Sequence, residues 1–376
     1  MKNRIEGILN EIGVTINGNK PYDLKINNKQ FLTKMMLSAS PSIDAGEAYM
    51  NGDWDCEQLE ELFFRICKSE MDSELYSKFG SFFYTLKNSI INQQSPSKSH
   101  EVAKKHYNLG NRFYELMLGK SMAYTCSYWK NAHSLDEAQF DKYDLICKKL
   151  YLKPGEKVLE LGCGWGGLAK YMAEKYGCEV VAIDIGEQPS SYAKKLCKDL
   201  PVTVHQCDYR STHIYNPQNK PFDKIVSVGV LEHVGYKNYT PFLNIANSFI
   251  KPDGIFLLHS IGGNVSLNYC DPWINKYIFP NGMLPSIKQL GEALEHKFIV
   301  EDLQNFGAYY DKTLMAWRSN LNNNWDELKP SYDERFRRMM NYYLASCAGG
   351  FRARSMQLWQ YVLTPKGMLN GYSSYR

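Results

Sequence analysis

Between residues 157 and 259, short apolar runs alternate with segments of helical periodicity, and several runs end at a glycine or an acidic residue. The runs predict strands at Lys157–Leu161, Glu179–Ile183, Val202–His205, Lys224–Val228 and Ile255–His259. Strands of this kind, separated by helices, are buried on both faces of a mostly parallel sheet. The expected fold class is therefore α/β, a Rossmann-like doubly wound sheet, with the alternation continuing to about residue 300. From about residue 311 the tail reads as mainly helical.

Upstream the pattern changes. Val14 and Ile16, then Leu24 and Ile26, alternate around Asn17 and Gly18, which suggests a hairpin or an edge strand pair. Leu59, Leu62, Phe63 and Ile66 follow helical spacing, and so do Leu75, Phe79, Phe82, Phe83, Leu86 and Ile90. The second, phenylalanine-rich stripe either packs on its own domain or touches lipid or a partner subunit. A polar stretch from Asn92 to Ser99, with proline and serine, reads as a linker. The expected division is a small α+β domain at 1–91, a linker at 92–102 and a catalytic domain at 103–376.

Composition narrows the classes. With 376 residues, 44% hydrophobic and 22% charged, the chain can bury a full core. A net charge of +4 suits an anionic membrane surface or nucleic acid without choosing between them. The mixed charge of the first 90 residues argues against a nucleic-acid module there. Ten cysteines without a CxxC pair signal neither a zinc site nor a disulfide framework, so no metal is expected. The opening residues lack a long apolar h-region, and no apolar run approaches the 18 or so residues of a membrane span. A cytoplasmic location is expected, and any lipid would be met from the surface.

The chemistry begins where the strand ending at Leu161 meets Gly162, Cys163, Gly164, Trp165, Gly166 and Gly167. Such a turn lets a ligand approach the backbone beneath a helix N-terminus. Asp184, at the end of the next strand, suits ribose hydroxyls. Asp208 and Tyr209 follow the third strand, where a carboxylate can hold the amine of adenine. NAD satisfies much of this, but Glu160 and the GxGxG spacing favour S-adenosylmethionine. Glu232 lies just after the fourth strand and His259 ends the fifth, so both should face the same ligand. Taken singly, each also reads as a structural residue.

Eight segments carry a more specific resemblance: GEAYMNGDWD (46–55), HYNLGNRFYELML (106–118), YTCSYW (124–129), LELGCGWGG (159–167), VGVLEHVG (228–235), DPWINKYIFPNG (271–282), NFGAYYDKTLMAW (305–317) and CAGGFRAR (347–354). Over nearly its whole length the chain resembles the cyclopropane-fatty-acyl-phospholipid synthase family, whose catalytic domain is a class I methyltransferase fold. The resemblance implies transfer of a methylene from S-adenosylmethionine to the cis double bond of a phospholipid acyl chain. It also implies a bicarbonate ion as base, held by Cys126, Glu232, His259, Tyr310 and the backbone of Ile261. Tyr124, Thr125, Gly162, Cys163, Gly164, Asp184, Ile185, Asp208 and Tyr209 match cofactor-contacting positions. The family further implies a homodimer, peripheral contact with the inner face of the membrane and no nucleic acid.

Two positions depart from the family pattern. Asp184 stands where many members carry threonine, and Pro189 stands where a glutamine often contacts the cofactor, with Gln188 one place early. Cys347 has been assigned a catalytic role in the family. However, the alkene is itself the nucleophile, which gives a cysteine nucleophile little to do. Arg335, Arg337, Arg338, Arg352 and Arg354 are candidates either for lipid phosphates or for a salt-bridged face.

Overall fold

A computed structural model describes residues 2–72 and 109–376. The linker at 92–102 and the phenylalanine-rich stripe at 75–90 lie outside the described residues. The N-terminal part comprises helices α1 (Lys2–Glu11), α2 (Gln30–Leu37), α3 (Pro41–Met50) and α4 (Leu59–Asp72), with strands β1 (Lys25–Ile26) and β2 (Trp54–Asp55). The expected hairpin around Asn17 and Gly18 does not form. Ile16 and Leu24 make only an isolated bridge, and β1 pairs antiparallel with the distant β2. Asp23 decides this, because its carboxylate accepts from the amides of Thr15 and Lys20 and folds the segment into a loop.

Helices α5 (Asn111–Leu118) and α6 (Leu135–Lys149) precede the sheet. It is built from β3 (Lys157–Leu161), β4 (Glu179–Asp184), β5 (Val202–Gln206), β6 (Phe222–Val228), β7 (Ile250–Gly263), β8 (Ile299–Asn305) and β9 (Met356–Thr364). Between the first strands run α7 (Gly167–Tyr176), α8 (Glu187–Leu196), α9 (Thr212–Tyr215) and α10 (Tyr239–Phe249). After β7 come α11 (Pro272–Tyr277) and α12 (Ile287–Leu294); after β8 come α13 (Ala308–Asn323), α14 (Trp325–Leu328) and α15 (Glu334–Arg352). The strand order is β5-β4-β3-β6-β7-β9-β8. β3 to β7 pair in parallel, while β9 runs antiparallel between β7 and β8.

The five expected strands are all present, and two more were not foreseen. The tail from 311 is helical only as far as α15, after which β9 turns back into the sheet. β9 is buried almost along its whole length, with Gln357 and Gln360 buried among its apolar residues, so it shows no alternation that separates strand from helix. β8 is a mostly exposed, polar edge strand without a sheet signature in its sequence.

The N-terminal helices share a core with the C-terminal ones: Leu59 and Leu62 are buried in one cluster with Trp317, Tyr342 and Leu344. At the crossing of α4 and α15 a methyl group on Gly349 would stand 2.6 Å from both Phe63 Cβ and the Phe64 amide nitrogen, and 2.8 Å from the Glu60 carbonyl oxygen. The two backbones therefore meet without a side chain between them. Ionic clamps flank the crossing. Arg338 pairs with Asp55 at 2.6 Å and donates to the Tyr49 carbonyl, and Arg352 bridges Asp311 at 3.0 Å and Glu61 at 3.3 Å. Arg335 and Arg354 bond Asn51 and Gln357, and Arg337 pairs with Glu334. Three of these arginines thus lie in ion pairs and two on neutral amide side chains.

Gly349→Val should push α4 away from α15 and destabilise the protein by about 1–3 kcal/mol, the usual cost of overpacking a tight contact. Thermal melting of the full chain checks this; an unchanged midpoint would mean that α4 is not held there.

Candidate active site

The sheet delivers its functional side chains to one edge, the carboxyl ends of β3, β4, β6 and β7. Gly162, Gly164 and Gly166 all have positive φ, which glycine adopts without strain, so the chain leaves β3 in a sharp turn and enters α7. The amides of Gly162 and Cys163 both donate to the Ile183 carbonyl at 2.9 Å. Asp184 completes the link, its carboxylate accepting from Gly164 N at 2.9 Å and Gly186 N at 2.7 Å. Nothing lies within 4 Å of where a Gly164 side chain would stand, which leaves open space before the turn for a ligand.

A cavity of about 850 Å³ runs from this turn to α15. Lining it are Tyr124, Thr125, Gly162, Cys163, Gly164, Asp184, Ile185, Asp208, Tyr209, Glu232, His259, Ile261, Tyr310 and Cys347, all named from the sequence. Its far arm is apolar, with Ile274, Phe279, Leu314, Phe351, Met356 and Leu358. Cys126 is the exception. Its buried thiol turns toward the Ser127 carbonyl at 3.3 Å and Thr313 at 3.9 Å, and the residue does not line the cavity. Gln188 and Pro189 do not line it either.

Asp208 differs from its expected setting. Arg210 grips the carboxylate with Nε at 2.7 Å and a second nitrogen at 2.5 Å, so the acceptor expected for an adenine amine already has a cationic partner. Cys347 sits in a desolvated spot that pushes its thiol up to about 12, with Asp271 adding to the rise, so it is no thiolate at neutral pH.

Two buried polar groups of the cavity wall belong to β7 and the turn after β6. Glu232 Oε1 accepts from the Ile261 amide at 2.7 Å, while Oε2 is buried without a partner. Burial pushes the Glu232 carboxyl up to about 7, with the Ile261 amide acting the other way. His259 is 1% exposed; its Nδ1 lies 3.2 Å from Gln360 Nε2, and its Nε2 is buried without a partner. Desolvation holds the imidazole well below its usual range, helped by Lys142 and Lys149, so the ring is neutral. Tyr310 packs on Phe351 with ring centroids 4.6 Å apart, and burial keeps it a phenol.

Gln139, Lys142, Lys149 and Gln360 escaped sequence reasoning. Lys142 reaches Thr125 Oγ1 at 2.6 Å, and Gln139 on the same helix donates to the carbonyls of Ala123 and Thr125, so α6 fixes the segment leading to Cys126. Desolvation lowers Lys142 to about 7 and raises Glu160, behind the glycine turn, to about 8. Lys149 and Gln360 support His259. No sequence signal separates these lysines from the solvated ones of a charged helix; their burial depends on what packs over α6.

A parallel sheet of this order, with a glycine turn tied to an acidic second strand end, defines a class I S-adenosylmethionine-dependent methyltransferase. The family profile described as Mycolic acid cyclopropane synthetase matches residues 94–361. The cyclopropane-fatty-acyl-phospholipid synthase of Escherichia coli K12 is 44% identical over 97% of this chain and 93% of its own. Among solved structures, the cyclopropane synthase MmaA2 from Mycobacterium tuberculosis aligns with a TM-score of 0.65 at 28% identity, covering 70% of this chain and 97% of that one. Mycolic acid cyclopropane synthase CmaA1 complexed with SAH and CTAB aligns at 0.64 and 30% identity, with 70% and 97% covered. The chain belongs to the mycolic acid cyclopropane synthetase family.

Unfolded, Glu232 ionises near 4.5; folded, near 7. Its contribution to stability is therefore full below 4.5 and lost as pH rises through 7. Glu232→Gln keeps the acceptor for Ile261 and removes this titration, so the variant should melt above the wild type at pH 8 and lose that advantage by pH 5. Parallel melting curves across that range would show that the carboxyl does not titrate there.

Proposed function

We propose that the chain closes cyclopropane rings on the cis double bonds of phospholipid acyl chains, using the methyl group of S-adenosylmethionine. One observation carries the reading: two buried, unpartnered polar atoms, Glu232 Oε2 and His259 Nε2, border a cavity that also meets the glycine turn and an apolar arm. The apolar arm suits an acyl chain, and the glycine turn suits the cofactor. The alkene is a weak nucleophile and needs close approach to the sulfonium methyl in a water-poor chamber. Tyr310 and the nearby aromatic faces suit the carbocation left after methyl transfer.

Ring closure requires loss of a proton from the new methyl group, and a bicarbonate ion bound beside the cofactor would supply the base. The residues present fit such an ion. His259 is neutral, and Glu232 is protonated through much of the range below pH 7, so both can donate to an anion instead of repelling it. Ile261 acts through Glu232, whose carboxyl its amide orients, and Cys126 would contribute through its main chain. Tyr124, Thr125, Gly162, Cys163, Gly164, Asp184, Ile185, Asp208 and Tyr209 are the cofactor contacts of this reading. Reaching the Asp208 carboxylate requires adenine to share it with Arg210. Cys347 has a packing role beside the acyl arm.

The substrate sits in a bilayer, and no helix among the described residues is long and apolar enough to cross one. The reading is therefore peripheral contact with the inner face of the membrane by a cytoplasmic enzyme. Val265 and Leu267 support it, since both border the cavity while 63% and 40% exposed. Residues 1–91 form its lipid-binding and homodimer unit, joined by the 92–102 linker to the catalytic part from 103 onward.

Mass spectrometry of acyl chains, after incubation with S-adenosylmethionine and unsaturated phospholipid vesicles, should show the mass of one added methylene with loss of the alkene. A branched or exomethylene product would displace ring closure. His259→Ala should abolish the product while cofactor binding survives; full activity would remove His259 from the site. Val265→Asp with Leu267→Asp should reduce vesicle binding, measured by flotation, whereas equal binding would place the membrane contact elsewhere.

A further inference from the structure

His259 on β7 stands directly opposite Gln360 on β9, and Gln360 stands opposite Gln304 on β8. Directly opposed residues share a face of the sheet, so the three side chains form a row across three strands. Lys149, the last residue of α6 and fully buried, closes over that row. Its Nζ lies 2.8 Å from Gln360 Oε1 and 2.6 Å from Gln304 Oε1. Charged or neutral, the Lys149 Nζ carries at least two N–H groups, enough to donate to both amide oxygens and hold each toward itself. With Oε1 taken, the Gln360 amide turns its Nε2 toward His259 and donates to Nδ1 at 3.2 Å. A neutral imidazole that accepts at Nδ1 carries its proton on Nε2.

We infer that Lys149 and Gln360 are positioning residues that lock His259 as the Nε2–H tautomer, so that it meets the reaction chamber as a hydrogen-bond donor and never as the base. Neither residue lines the cavity. Both act through His259, as outer partners orient a metal-bound histidine. His259 lines the cavity, and its Nε2 is buried with no hydrogen-bond partner of its own. A ring protonated on Nδ1 would instead aim a lone pair at an anion bound there. The significance for ring closure rests on the anion reading above; the tautomer itself does not.

The test replaces Gln360 by Glu in the full-length protein. The side chain keeps its length and its partner Lys149, but a carboxylate can only accept, which forces the proton of His259 onto Nδ1. Long-range nitrogen-15 spectra of the imidazoles, with His259 assigned by its loss in His259→Ala, read the tautomer directly. The wild type should show Nε2–H. Gln360→Glu should show Nδ1–H, with ring formation reduced about 10- to 100-fold, the usual scale for losing an outer-shell partner, and S-adenosylmethionine binding within about threefold of wild type. Lys149→Met, which frees the amide to flip, should give a mixture of tautomers and an intermediate rate.

A wild-type ring protonated on Nδ1 overturns the inference, and that measurement needs no variant to fold. Gln360→Glu with the proton still on Nε2 overturns it too, because residue 360 would not then set the tautomer. So does full ring formation with the flipped tautomer. The spectra require neither cofactor nor bicarbonate. A rate indifferent to added bicarbonate, with the spectra as expected, would count against the anion reading alone.

Discussion

Where β7 lies beside β9, His259 faces Gln360 across the sheet and Lys149 covers both from α6. The polar end of the cavity depends on this pairing. A one-residue slip in the register would turn His259 and Gln360 to opposite faces and leave Lys149 buried without acceptors. An unpaired buried ammonium is costly, and here desolvation already lowers it to about 7. The register of β9 is therefore held by burial of its apolar residues and by the need to satisfy one lysine. The same geometry returns the chain from α15 into the sheet between β7 and β8.

Around this pairing the fold accepts other polar groups out of water. Glu160, Lys142 and Glu232 are all shifted toward their neutral forms by burial. A site that destabilises its own charges needs stability from elsewhere. Helix α15 contributes much of it, packing on α4 at Gly349 and joined to the N-terminal part by arginine clamps. The same helix carries Tyr343, Cys347 and Phe351 to the cavity wall. One element thus walls the cavity and holds the N- and C-terminal parts together.

The cavity joins two environments that a methyl transfer to an alkene must bring together. At the glycine turn, backbone amides and Asp184 suit a polar cofactor; toward Leu358 the walls are aliphatic and aromatic. Between them stand the buried polar atoms of Glu232 and His259. Proton transfer in such a setting depends on which nitrogen or oxygen carries the proton, because buried polar groups hold fixed donor and acceptor roles.

By itself the sequence determined the five parallel strands, the glycine turn between β3 and α7, and a set of site residues of which all but Cys126 line the cavity. Those features are local: a buried strand shows as an apolar run, a tight turn demands glycine, and strand ends in a doubly wound sheet converge on one edge. Only the tertiary structure decided what depends on partners far along the chain. Asp23 replaced the expected hairpin by a loop, and β8 and β9 became strands because the sheet offered them an edge and a slot. Lys142 and Lys149 became buried site residues only because other elements cover α6. Cys126, conspicuous in its motif, turned its thiol to Thr313 and away from the cavity. A residue's chemistry is written in its type, but its burial and its partners are set by packing, and burial is what moved these lysines and carboxyls away from their ordinary charge states.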